Sequence, residues 1–153
     1  MVDLPEVVTA VSSSWRAAEL PVGEGQIVDM RTDARDPTLR VTMLPRDTNA
    51  RGTIFGGVIL SHIDLAGAVA AGRQAPRHFV TRAMRAVEFI APVYVGDVVS
   101  FYTSVARVGK TSITIKVRVE AERCGEPDKC FRVTEAEVIY VAVAENGKPT
   151  PIR

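Results

Sequence analysis

The chain has 153 residues, 24% charged and 46% apolar, with a formal net charge of +1. That length holds one ordinary domain, and the balance of charged and apolar residues excludes disorder and fibrous repeats. A near-neutral chain argues against a cationic nucleic-acid surface, and its longest apolar stretch, residues 58–71, falls short of the ~20 residues of a membrane span.

The first residues, "MVDLPEVV", are acidic and carry too short an apolar run for a signal peptide, so a cytoplasmic location is expected. Val7, Val11, Trp15 and Ala18 fall at helical spacing within residues 5–19, behind a proline suited to a first turn. "PVGEG" ends that short helix, so residues 1–25 read as an N-terminal extension and 26–153 as a single domain. Residues 27–44 read as extended, with "LRVTML" the better strand and Pro45 its stop.

A glycine turn, Gly56-Gly57, then leads into a helix with apolar residues on almost every face. Such a helix is expected to be buried all round, with Gly72 and then Pro76 as its stop. From Phe79 the period changes to two. In "TSITIKVRVEAE", Ile113, Ile115, Val117 and Val119 alternate with polar residues, and runs at 79–91, 98–108 and 132–144 accompany it. "PVYVGD", "VGK" and "CGEPDK" supply turn chemistry between them. One helix followed by four strands on short turns predicts an α+β domain whose antiparallel meander wraps the helix. A sheet of that size leaves an edge uncovered, which predicts an oligomer with edge strands paired across a twofold axis. The two cysteines, Cys124 and Cys130, read as reduced thiols flanking a turn, with a cross-hairpin disulfide as the alternative; no metal site is expected.

The chemistry concentrates at the central helix. Its first amides lack intrahelical partners, and Gly56 and Gly57 let a ligand approach them closely. A thioester or ester carbonyl placed there would find donors for its developing oxyanion. Asp64 follows Gly57 by seven residues, close to the same face and roughly 10 Å along the axis. A carboxylate in an apolar helix costs several kcal/mol unless it is paired. On chemistry alone, a satisfied structural acid and a general base or nucleophile are equally good readings of it. His62 reads as a core or interface residue and His78 as exposed. No Gly-x-Ser-x-Gly elbow occurs, and Val58-Ile59 stands where a phosphate loop needs Lys-Ser/Thr.

The phrases "PRDTNARGTIFGGVILSHID", "FIAPVYVGDVVSFY", "VGKTSITIKVRVEAER" and "VTEAEVIYVAV" together resemble the hotdog-fold acyl-CoA thioesterases of the bacterial YciA type, over residues 39–152. The resemblance implies a long helix wrapped by a curved antiparallel sheet, with dimers forming one continuous sheet and assembling as a trimer of dimers. It implies hydrolysis of acyl-CoA to acid and CoA at the dimer interface, with no cofactor. Asp64 matches the family's catalytic carboxylate, and Asn49 an asparagine that faces the aspartate of the other subunit. The amides of Gly56, Gly57 and Val58 match the site that polarises the thioester carbonyl. For CoA, the turn "RVGKTS" offers Arg107, Lys110, Thr111 and Ser112, in a region where the family contacts CoA. Two departures stand out: Arg51-Gly52-Thr53 replaces the more usual Asn-Gly-Asp, and Arg82 and Arg85 occupy a strand where apolar or acidic residues are more usual. A hotdog dehydratase would want a His–acid pair, which is missing. A non-catalytic acyl-CoA-binding module would not need both Asn49 and Asp64.

Overall fold

The structure is a computed structural model and describes residues 36–153. The boundary expected at residue 25, the helix expected at 5–19 and the start of the extended segment at 27 lie outside the described residues.

Five strands and one long helix follow in the order β1 (Leu39–Thr42), α1 (Gly56–Gln74), β2 (His78–Phe89), β3 (Val98–Val108), β4 (Ser112–Arg123) and β5 (Glu126–Val143). A single 3-10 turn, Pro45–Asp47, separates β1 from the glycine turn, and Asp47 Oδ2 accepts the Leu44 amide at 2.8 Å to close it. The sheet is antiparallel throughout, in the order β1-β3-β4-β5-β2.

That order corrects the simple meander. Strands β3, β4 and β5 do run as consecutive hairpins, but β2 pairs with β5 at the far side of the sheet. The connection from β2 to β3 therefore crosses the end of the sheet, which leaves β2 as a long open edge. At the opposite edge, β1 is only four residues long.

The strict alternation in β4 has the expected result. Ile113, Ile115, Val117, Val119 and Ala121 are wholly buried and face α1, with Tyr140, Val138 and Ala136 of β5 opposite the first three and Phe101 of β3 opposite Val119. Full burial of such a side chain contributes about 2 kcal/mol relative to exposure. Helix α1 returns Ile59, Ile63, Ala66, Gly67, Ala70 and Ala71 to this core, at the helical spacing of one stripe.

The expectation that α1 is buried all round does not hold within one chain. The sheet covers one side only, and Leu65 and Val69 on the other side remain 57% and 47% exposed. Gly72 does not end the helix either. It continues to Gln74, where Ala75 turns extended ahead of Pro76, as a residue before proline prefers. The β4–β5 hairpin is also tighter than "CGEPDK" suggested, turning at Cys124-Gly125 with Gly125 at φ +80°. Both cysteines are free thiols. Cys130 Sγ lies 3.7 Å from Glu120 Oε2, and burial together with that carboxylate pushes its pKa up, so the thiol stays protonated.

The VGD turn is held by its acid. Asp97 is wholly buried, accepts the Tyr94 amide at 3.0 Å, and pairs with Arg123 Nε at 3.0 Å. The Arg123 guanidinium in turn stacks between the rings of Tyr94 and Phe131, 4.7 and 4.9 Å from their centroids.

Candidate active site

The loop before α1 is built by Asn49. Its Oδ1 accepts the amides of Arg51 at 2.8 Å and Thr53 at 3.3 Å, while Nδ2 donates to Thr53 Oγ1 at 2.8 Å. This is the side-chain turn that asparagine favours, and Gly52 completes it at φ +80°. Within one chain, then, Asn49 is bonded to its own loop, and no hydrogen bond joins it to Asp64.

The loop delivers the chain to α1 by two further bonds, Ile54 N to Val93 O and Phe55 N to Asp47 O, both 2.8 Å. Gly56 and Gly57 then open the helix. Among the described residues no backbone carbonyl takes their amides. The third expected donor differs: Val58 N already donates to Phe55 O at 2.9 Å, because the first turn tightens onto its cap residue. The expected set of free donors is thus reduced to the two glycines. A side chain at Gly57 would overlap the Phe55 ring, and one at Gly56 would come within 3.1 Å of Phe89.

Beside Gly56 lies a cavity of about 380 Å³ lined by Ile54, Ile59, Phe89, Ile90, Pro92 and Val133. All of these side chains are apolar. Of the two glycines, Gly56 itself lines this cavity.

Asp64 sits two turns further along, half-buried. Its Oδ1 accepts the Thr81 hydroxyl at 2.6 Å and lies 3.3 Å from the Tyr140 hydroxyl. The same phenol donates to the Asp64 backbone carbonyl at 2.7 Å. Among the described residues, Oδ2 has no hydrogen-bond partner and no cation pairs with the carboxylate. Burial, and secondarily the Asp64 charge, pushes the Tyr140 pKa well above the ordinary phenol value, so it serves as a neutral donor. His62 takes no part. Its Nδ1 donates to Val58 O at 2.8 Å, and its ring stacks on Phe101 at 5.7 Å.

The residues expected to meet CoA divide. Arg107 and Ser112 line a second cavity, about 420 Å³, together with Arg85, Gly109, Thr114 and Glu137. Lys110 and Thr111 sit at the hairpin tip beside it, where their carbonyls accept the amides of Ile152 and Ala142 at 2.9 and 2.8 Å. Of the two departures on β2, Arg85 joins this cavity, while Arg82 is an exposed bulge residue.

Thr81, Tyr140 and Gly67 were not legible as site residues. Tyr140 is one inward position in the apolar alternation of β5, and Gly67 one small residue among several in α1. Only the fold places both hydroxyls over Asp64.

The profile of the Thioesterase superfamily matches residues 51–128. The YciA acyl-CoA thioester hydrolase of Salmonella typhimurium is 42% identical over 116 residues, covering 74% of this chain and 87% of that protein. This chain belongs to the YciA-like hotdog thioesterases. The hexameric hotdog-fold thioesterase of Campylobacter jejuni superposes with a TM-score of 0.73 at 47% identity, over 77% of this chain and 90% of that one. An acyl-CoA hydrolase of Staphylococcus aureus, solved with butyryl-CoA, CoA and CoA disulfide, superposes with a TM-score of 0.68 at 26% identity, over 74% and 69%. The helix against a five-stranded antiparallel sheet is the hotdog arrangement, and the α+β expectation is met. No helix among the described residues is long and apolar enough to cross a membrane.

Proposed function

We propose that this hotdog thioesterase hydrolyses acyl-CoA with Asp64 as general base, in a site completed between two subunits of a hexamer. The observation that carries the reading is the state of Asp64. Oδ1 is held by the Thr81 hydroxyl, Oδ2 has no partner among the described residues, and no cation neutralises the carboxylate. Asp64 Oδ2 is not among the buried unpartnered oxygens, so it stays open to an incoming water, whereas the structural acid Asp97 is wholly buried against a cation. The names of the YciA relatives and the hexameric assembly of the Campylobacter jejuni neighbour support the same reading.

In this scheme the thioester carbonyl oxygen accepts the Gly56 and Gly57 amides at the positive end of α1. Asp64 from the facing subunit takes a proton from water, whose oxygen bonds to the carbonyl carbon. The C–S bond breaks as the tetrahedral intermediate collapses, and the departing CoA sulfur recovers the proton from Asp64. The products are the free acid and CoA, and the carboxylate is regenerated. Asn49 of the subunit that supplies the glycines faces this aspartate. The apolar cavity beside Gly56 suits the acyl chain better than the amide-bearing pantetheine arm. The guanidinium groups of Arg85 and Arg107, with Ser112 and the hairpin-tip Lys110 and Thr111, suit the CoA phosphates.

Thiol release from acyl-CoAs of increasing chain length tests the reading. The parent is expected to release CoA, and Asp64→Asn to lose at least about a hundredfold in kcat while keeping its assembly. Full activity in folded Asp64→Asn would remove Asp64 from the chemistry. Tight acyl-CoA binding without any release would replace the hydrolase with a binding module.

A further inference from the structure

Thr81 and Tyr140 are directly opposed partners in the β2–β5 ladder, so their side chains leave the sheet on the same face, towards α1. The next paired residues are Ala83 and Ile139, which leaves Arg82 as an extra residue in β2. That bulge changes the alternation. Met84, opposite the buried Val138, faces inward, and so does Thr81 three residues earlier. Without the extra residue, Arg82 would share the inward face with Met84 and Thr81 would point away from the helix.

Helix α1 is shaped to meet this pair. Gly67 follows Asp64 by three residues, on the same face. A Cβ there would overlap the Tyr140 hydroxyl and come within 3.0 Å of the ring. The missing side chain lets the phenol reach across the helix to the Asp64 carbonyl at 2.7 Å and stand 3.3 Å from Oδ1. Thr81 closes the other side at 2.6 Å.

We infer that Thr81 and Tyr140, admitted by the Arg82 bulge and by Gly67, are positioning residues that lock Asp64 with Oδ2 turned towards the attacking water. The inference rests on the general-base reading of Asp64 given above. A half-buried carboxylate on a helical turn samples several rotamers; the Thr81 hydroxyl selects one at Oδ1, while the Tyr140 proton, given to the Asp64 carbonyl, pins the turn that carries it. Oδ1 is then the anchored oxygen and Oδ2 the one that takes the proton.

The test is steady-state thiol release by the full chain with Thr81→Val, Thr81→Ser and Tyr140→Phe, on whichever acyl-CoA the parent hydrolyses fastest. Valine keeps the shape of threonine without the hydroxyl, and serine keeps the hydroxyl. Thr81→Val is expected to lower kcat about tenfold with KM within twofold of the parent. Thr81→Ser is expected to stay within threefold of the parent in kcat, and Tyr140→Phe to fall by about threefold or more with its assembly intact. A kcat for Thr81→Val within twofold of the parent would overturn the clamp. So would an equal loss in the serine and valine variants, since packing and not the hydroxyl would then be responsible. Failure of the underlying reading looks different: Asp64→Asn would stay active, or the parent would release no CoA.

Discussion

Two acids of this chain sit in apolar surroundings and have opposite fates. Asp97 accepts the Tyr94 amide on Oδ2 and is neutralised by the Arg123 guanidinium beside Oδ1, whereas no cation pairs with Asp64 among the described residues. Full burial with a paired cation marks Asp97 as structural. Its replacement by alanine would strand the arginine between two aromatic rings and release the turn. Asp97→Ala is expected to cost roughly 3 kcal/mol in a urea titration. A loss below 1 kcal/mol would show that the guanidinium is held by stacking alone. Tyr140 makes a second residue-scale case. Its folded pKa is raised above the ordinary 10.0, by burial first and by Asp64 second, while the unfolded chain titrates normally. The unfolded state therefore begins to release this proton near pH 10 while the folded state keeps it. Below that pH the contribution to stability is constant, and it falls as pH rises through and beyond it. Ultraviolet titration should find Tyr140 ionising only on unfolding. A Tyr140 phenolate forming in the folded protein near the ordinary phenol value would contradict it.

At the scale of elements, the helix, the β4 alternation and the presence of an acid on α1 could be read directly, because each is a local pattern of one period. The β2 strand could not. Its pairing with β5 joins residues about 60 apart, and its bulge at Arg82 breaks the period of two at the very place where Thr81 enters the site. For the same reason the sequence did not show that Arg82 and Arg85, both on this strand, separate into a bulge residue and a cavity residue. Gly67 carries the most specific consequence. In an isolated helix, alanine is favoured over glycine by about 1 kcal/mol. Here the added methyl group would displace a buried phenol, so Gly67→Ala is expected to lower both Tm and kcat despite its better helix propensity. Introducing it into Tyr140→Phe should cost less kcat than in the parent, because the hydroxyl it displaces is already gone. Strictly additive losses would show that Gly67 acts through something other than Tyr140.

At the scale of the whole molecule, one chain leaves apolar surface and a strand edge uncovered. Leu65 and Val69 leave an apolar stripe in solvent on α1, and β2 presents a long unpaired edge. Asp64 lies two turns from the glycine amides of its own helix, too far for one substrate carbonyl to meet both, and Asn49 is bonded only within its loop. The proposed site shared between subunits would account for all of these together, and it can be tested without disrupting the interface. Asp64→Asn and Asn49→Ala are each expected to be nearly inactive alone. In a mixed dimer, one of the two sites combines the intact Asp64 of one subunit with the intact Asn49 of the other, and the second site carries both substitutions. Random pairing makes half of the dimers mixed, so co-expression should restore about a quarter of the parent's specific activity. If both residues served the same site from one chain, no pairing would assemble an intact site and the mixture would stay as inactive as its components. Sedimentation of the co-expressed protein at the parent's size would complete the measurement, since recovered activity then belongs to the mixed assembly.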